Sequence, residues 1–221
     1  MKYFKTTVMA IAITFLTIAC DDDDNSVVVK QLEAEVVEDL QADPQSNPDG
    51  TAREGTNQFT LYSLKDNKVI PNSDSATTKW DIGFRSTAII VNGGDSGPGQ
   101  GEAQITTGIF EELTEAPETG YKKDEEGSYA IQGTDGWYNY TGHTGTPVNA
   151  IIPIPGKTIV IKTAEGKYAK IEILSYYYGS PNTTTAEFAD MATRSPSRYY
   201  TFRFIYQHNG SRNLVNTSSL N

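Results

Sequence analysis

Cysteine is nearly absent from this chain: one residue in 221, alongside two histidines and three methionines. A single thiol cannot close an internal disulfide, and so few soft donors exclude a zinc finger or any cysteine-rich metal centre. Basic residues are also scarce, 18 against 28 acidic, and the resulting net charge of −10 leaves no footprint for nucleic acid or an anionic membrane surface. No internal repeat occurs, and the only low-complexity segment is a run of four aspartates. What is present is 37% hydrophobic residues, enough for a core, with 13 tyrosines, 19 glycines and stretches rich in Thr, Val and Ile. That composition points to sheet joined by glycine-rich turns.

Lys2 and Lys5 precede Val8–Ile18, an apolar stretch with the length of a signal-peptide core and too short to span a bilayer. Residues 1–19 are therefore expected to be an export signal. Leu16-Thr17-Ile18-Ala19-Cys20 puts a small residue directly before the one cysteine and resembles a bacterial lipobox, where cleavage precedes a cysteine that is then acylated. Each buried methylene of such acyl chains contributes about 0.8 kcal/mol to membrane attachment. Asp21-Asp22-Asp23-Asp24 follows, a self-repelling spacer by its charge, and similar to the acidic run that marks surface display in lipoproteins of the Bacteroidota. Losing Lys2 and Lys5 with the signal leaves 16 basic against 28 acidic residues, a mature charge of −12.

Residues 30–42, KQLEAEVVEDLQA, fit a short helix or a β-like segment, and the pattern does not choose. Residues 43–57 read as a linker, rich in Pro, Gly, Asn, Ser and Thr. From Phe59 the signals are strand. Phe59–Leu64 alternates and is followed by turn residues and Lys68-Val69-Ile70, while Thr78–Phe84 and Thr87–Asn92 are β-rich. Lys157–Lys162 and Lys167–Leu174 flank Thr163-Ala164-Glu165-Gly166 as a hairpin. Between Tyr199 and Gln207, the side chains of Tyr200, Phe202, Phe204 and Tyr206 share one face of a core strand. After an Asn209-Gly210 turn, Arg212–Val215 is a possible last strand. The expected fold is all-β, an antiparallel sandwich or open barrel with a short helical or irregular N-terminal extension. Its divisions are 1–19 export signal, 20–57 lipidated cysteine, spacer and linker, and 58–221 β domain.

Sequence motifs for catalysis fail on chemistry. Gly94-Asp95-Ser96-Gly97 copies the nucleophile motif of chymotrypsin-like proteases, but there the histidine base precedes the serine, and His143 and His208 both follow it. Gly97-Pro98-Gly99-Gln100-Gly101 has no Gly-Lys-Ser/Thr and leads into a strand-like segment, not a helix N-terminus that would hold phosphate. No enzyme is expected. His143 remains, flanked by Gly142 and Gly145 in a loop that can project its imidazole, with Tyr138 and Tyr140 just upstream. Met191, in the polar stretch Pro181–Pro196, is a candidate thioether ligand to haem iron. His208, beside the Asn-Gly turn, reads as a strand-end residue.

Lys79-Trp80-Asp81-Ile82-Gly83-Phe84-Arg85, then Asn92-Gly93-Gly94-Asp95-Ser96-Gly97-Pro98-Gly99-Gln100-Gly101-Glu102-Ala103-Gln104, is similar to the signature of the HmuY family. Glu118-Thr119-Gly120-Tyr121 and Gly166–Ile171 match as well, so the resemblance runs from about Phe59 to Tyr206. It implies a lipid-anchored, all-β protein of the Bacteroidota outer membrane that grips haem between loops at one end. It also implies that haem is taken from other proteins and passed to a TonB-dependent receptor. Two histidines hold the iron in the type member. His143 falls near the second, whereas the stretch Tyr121–Gly136, where the first is expected, holds neither His nor Met. Met191 is then the candidate sixth ligand, with Tyr138 and Tyr140 as candidates to stack on or ligate the macrocycle. Haem carries two propionates and the mature chain is strongly acidic, so binding has to rest on the iron bond, apolar burial and a local Lys or Arg. The rival readings are a glycan-binding lipoprotein, with Tyr138, Tyr140 and Tyr176–Tyr178 stacking on sugars, a structural or adhesive surface module without a small ligand and, weakest of the three, a hydrolase.

Overall fold

Alternation of period two turns into two packed sheets. The computed structural model describes residues 32–134 and 136–215; the expected export signal, Cys20 and Asp21–Asp24 lie outside the described residues. Its strands are β1 (Glu35–Gln41), β2 (Thr60–Ser63), β3 (Lys68–Ile70), β4 (Ile82–Arg85), β5 (Ala88–Val91), β6 (Glu102–Thr107), β7 (Tyr138–Tyr140), β8 (Ile151–Pro153), β9 (Lys157–Lys162), β10 (Tyr168–Tyr177) and β11 (Ser197–Gln207), with one helical turn, α1 (Ala186–Ala189). A five-stranded sheet has the order β1-β11-β10-β9-β6, a four-stranded sheet the order β3-β2-β4-β5, and β7 and β8 form a separate hairpin. All the strand pairings are antiparallel.

The core lies between the two large sheets. Tyr200, Phe202, Phe204 and Tyr206 of β11 face Tyr62, Ile82, Phe84, Ile89 and Val91 of the smaller sheet, beside Ile159, Ile161 and Ile171. Phe84 and Phe202 stack at 5.3 Å, and Tyr62 meets Phe202 edge-on at 5.7 Å. Burial of each such side chain contributes roughly 1.5–3 kcal/mol. The opposite face of the larger sheet is covered too. Residues 109–116 cross it as a strap, so that Phe110 and Ala116 pack on Val160, Ile205 and Leu214. Lys170, buried on that face, donates to the carbonyls of Phe110 (2.6 Å) and Leu113 (2.9 Å).

One open reading is decided and three expectations change. Of the short helix and the β-like segment that residues 30–42 fit, residues 35–41 take the second, as an edge strand paired with β11. The β domain therefore starts well before residue 58. Val37 and Leu40, spaced as on a helix, reach the same core because a bulge at Asp39 (φ 51°) inserts one residue between them. In the 78–84 stretch strand begins only at Ile82, the first residue of β4 (Ile82–Arg85), since Trp80 turns inward and donates from Nε1 to the carbonyl of Ser75 at 2.9 Å. Finally, Arg212–Val215 makes a single bridge, Glu115 to Asn213, because its partner is the irregular strap rather than a strand.

The residues of the Trp-Asp and Gly-rich signature are architectural. Asp81 is 5% exposed; its Oδ2 accepts the amide of Leu64 (2.9 Å) and its Oδ1 that of Ala164 (3.2 Å), tying the β2–β3 turn to the β9–β10 turn. Asn92 is fully buried. Its Nδ2 donates to the carbonyls of Trp80 (2.8 Å) and Thr77 (2.9 Å), while its Oδ1 accepts the amide of Gly99 (3.0 Å). The glycine loop wraps this amide so closely that a Cβ on Gly97 would stand 2.3 Å from Asn92 Oδ1, and one on Gly101 2.5 Å from the Asn92 carbonyl oxygen. Gly-Asp-Ser-Gly is part of the same knot: the Asp95 amide donates to the Asp124 carbonyl at 2.9 Å, and the Asp95 carboxylate accepts the Glu126 amide at 2.7 Å.

Burial pushes the Asp81 carboxyl up to about 6, against its backbone hydrogen bonds, which act the other way. The folded state thus holds this proton more tightly than the unfolded chain. The associated stability, on the order of 3 kcal/mol, is present in full below about pH 4 and is lost as pH rises through 6. Asp81→Asn removes that titration, so the thermal-stability margin of the native protein over this variant should shrink between pH 4 and pH 7. A margin that stays level or widens refutes the assignment.

Candidate functional site

Strand directions separate the molecule into two poles. Tyr168 pairs with both Lys162 and Gln207, so the β9–β10 turn and the Asp81 clamp share one end, whereas Tyr177 pairs with Ser197 at the other. The loop 178–196, which carries Met191, leaves from that second end. The hairpin β7–β8 lies against the same end through Tyr177, whose hydroxyl accepts the amide of Ile151 at 3.0 Å.

His143 and Met191 sit on two loops that are stapled together. Arg194 donates from Nη1 to the carbonyl of Val148 (2.8 Å) in the β7–β8 loop, and from Nε to Phe188 (2.8 Å) and Nη2 to Ala189 (3.3 Å) in its own. Its guanidinium lies 4.9 Å from the ring centre of Phe188, which is buried edge-on to Tyr177 at 4.8 Å. Thr185 caps α1 by accepting the amide of Phe188. The β7–β8 loop is closed by Thr141, whose hydroxyl donates to the Pro147 carbonyl and accepts the Ala150 amide. Sequence reasoning missed Arg194. A lone arginine in a polar loop carries no periodic signal, and its partners are carbonyls that any residue supplies.

On this rim His143 is exposed at the loop tip and Met191 is 62% exposed in the turn after α1. The two tyrosines part company. Tyr140 is 43% exposed and donates to Asn149 Oδ1 at 2.7 Å across the hairpin. Tyr138 is instead a core residue, 8% exposed, packed on Trp137 at 4.6 Å and accepting from Thr134 Oγ1. It presents no ring face to a ligand, because it lies where the hairpin enters the sandwich core. Of the three tyrosines 176–178, the first two are buried and Tyr178 packs edge-on to Tyr199. Burial drives the Tyr176 phenol up to about 12 and raises Tyr177 and Tyr200 as well, so these hydroxyls remain neutral.

The exposed donors are thus one imidazole and one thioether. A bare metal ion requires three or four protein ligands, and among the described residues no group of three His, Cys, Asp or Glu is arranged to hold one. An iron already bound by a porphyrin needs only one or two axial donors, and imidazole and thioether are both suited to it. The donor set fits that chemistry better than a naked cation.

Residues 55–189 match the family model described as HmuY protein. No curated protein matches the chain. Similar solved structures include an apo HmuY analogue from Tannerella forsythia, 15% identical with a TM-score of 0.42 over 80% of this chain and 95% of that one. A HmuY-like protein from Bacteroides vulgatus ATCC 8482 is 14% identical, with a TM-score of 0.46 over 80% and 92%. Apo PinO from Porphyromonas gingivitis is 15% identical, with a TM-score of 0.42 over 79% and 97%.

Arg194→Ala removes the Val148 contact that joins the loops and the Phe188 and Ala189 contacts that brace its own, each charge-assisted bond being worth about 1.5–3 kcal/mol. Amide exchange should quicken in 147–151 and 186–195 while the sandwich strands keep their protection. Unchanged exchange in both loops would reject the staple.

Proposed function

The chain belongs to the HmuY family, and from that membership we propose that it is a lipid-anchored, surface-displayed protein that captures haem and releases it to a TonB-dependent outer-membrane receptor, without covalent chemistry. The observation that carries this reading is the Arg194 staple, which joins the loop of His143 to the loop of Met191 so that both donors lie exposed on one rim. His143 is the proposed axial ligand and Met191 the proposed sixth. Tyr140, exposed on the same hairpin, is the ring available to lie along the macrocycle. Haem bound there would be held by its iron and by apolar contact, the two terms that an acidic protein can supply to a dianionic porphyrin.

Haemin added to the mature domain should sharpen and red-shift the Soret band. His143→Ala should weaken binding by at least about tenfold, equivalent to 1.4 kcal/mol, and Met191→Ala should alter the six-coordinate signature. An unaltered haemin spectrum with the native domain removes haem as the ligand. Retention on a glycan array in that case would favour a sugar-binding surface protein, with Tyr140 and Tyr178 as its exposed rings.

The anchor is tested separately. Cys20 is the proposed acylation site, and Cys20→Ser should move the protein from the detergent phase to the aqueous phase on detergent partitioning. Equal partitioning of the two forms would exclude the lipid tether.

A further inference from the structure

At the flank of the larger sheet, the edge of β6 borders a polar cleft. The chain after Gly120 crosses this edge, pairing Lys122 with Ala103 through two backbone hydrogen bonds of 2.8 and 2.9 Å. Asp124 then holds the crossing in place, its carboxylate accepting the amides of Val91 and Ala130. Two cavities lie along the resulting groove, about 500 Å³ and about 310 Å³, and Lys122, Ala130 and Gln132 line both. They are lobes of one cleft, each within the size range of small-molecule sites, about 300–1,000 Å³.

Its charge is unlike that of the rest of the surface. Lys65, Lys68, Lys79 and Lys162 each have a carboxylate partner, while Lys167 and Lys170 are bound to backbone carbonyls. Among the described lysines, only Lys122, Lys123 and Lys157 have neither, and all three line this cleft. Lys157 is oriented by donating to Thr107 Oγ1 at 2.9 Å. Of the two acids on the lining, Glu102 is neutralised by Lys162 at 2.7 Å and Glu125 stands at the side of the larger lobe. In a chain of −10, three ammonium groups with no carboxylate within salt-bridge distance along one groove make a local positive field that attracts an anion. Gln104, Gln132 and the Tyr129 ring add neutral donors and a flat face.

We propose that this cleft binds a ligand presenting two or more carboxylates on ring-sized bodies, held by Lys122, Lys123 and Lys157. Two sources share that chemistry: an acidic saccharide built of uronate rings, and the propionate pair of haem. The second source rests on the proposed function, and the first stands without it.

Calorimetric titration with trigalacturonate, with maltotriose as the neutral control, tests the first source in the native protein and in Lys122→Gln/Lys157→Gln. Haemin and haemin dimethyl ester, titrated spectroscopically against both proteins, test the second. Trigalacturonate binding that falls at least about tenfold in the variant and weakens with salt, while maltotriose stays unbound, supports the saccharide. A comparable loss for haemin, with the ester bound equally by both proteins, supports the propionates. If the native protein shows no haemin band, the proposed function fails and the saccharide titration alone decides the cleft. The proposal is overturned if the variant retains native affinity for every anionic probe, or if native trigalacturonate binding is absent and haemin binding ignores the substitutions. Should the variant misfold, the salt dependence of binding to the native protein separates the same outcomes.

Discussion

A carboxylate and an amide sealed from water hold one end of this sandwich together. Sheet faces can slide over each other at little cost in apolar area, whereas a buried backbone amide must have its partner. Asp81 and Asn92 supply those partners to turns from both sheets, and the glycine loop closes over Asn92 because it has no Cβ to keep it away. Aromatic packing between Phe84, Tyr200 and Phe202 then fills a space whose width these contacts set.

The opposite pole has no comparable knot. There the loops are joined to the sheet by Phe188, Tyr177 and the carbonyl contacts of Arg194, and the side chains at their tips point into solvent. A guanidinium bonded to carbonyls makes few demands on the sequence of its partners. Residues at the tips can therefore vary without disturbing the fold, which is the arrangement expected where a rigid scaffold carries binding groups.

That division explains which features are legible in the sequence. The β9–β10 hairpin and the core face of β11 are, because period-two alternation runs unbroken through them and Glu165-Gly166 marks the turn between the former. β1 is not, because its bulge at Asp39 gives Val37 and Leu40 a spacing of three that a helix also satisfies. Placement of Tyr138 and Tyr140 fails in part for a related reason: alternation assigns them one face, but only the first lies within the sandwich, and strand ends are invisible to a periodic pattern. His143 and Met191 are recognisable as donors by residue type alone. Their shared rim depends on Arg194 and on chain reversals more than thirty residues apart, for which sequence carries no local mark.

The residues that identify the family and the residues that would hold its ligand therefore do different work at different ends of the molecule. Trp80, Asp81, Asn92 and the glycines satisfy buried polar groups or make room for them, so their presence reports that the two sheets can close, not what is bound. Ligand choice rests with groups that the fold leaves unsatisfied. Here those are an imidazole and a thioether on an open rim, and three lysines along the edge of β6 in a protein otherwise rich in negative charge. Exposed to water, these groups cost the unliganded protein little, and a complementary molecule can exchange that hydration for an ion pair or an axial bond. As proposed axial donors, the imidazole and thioether would select for iron within a macrocycle and the lysines for carboxylates, and an acidic sugar would meet only the second requirement.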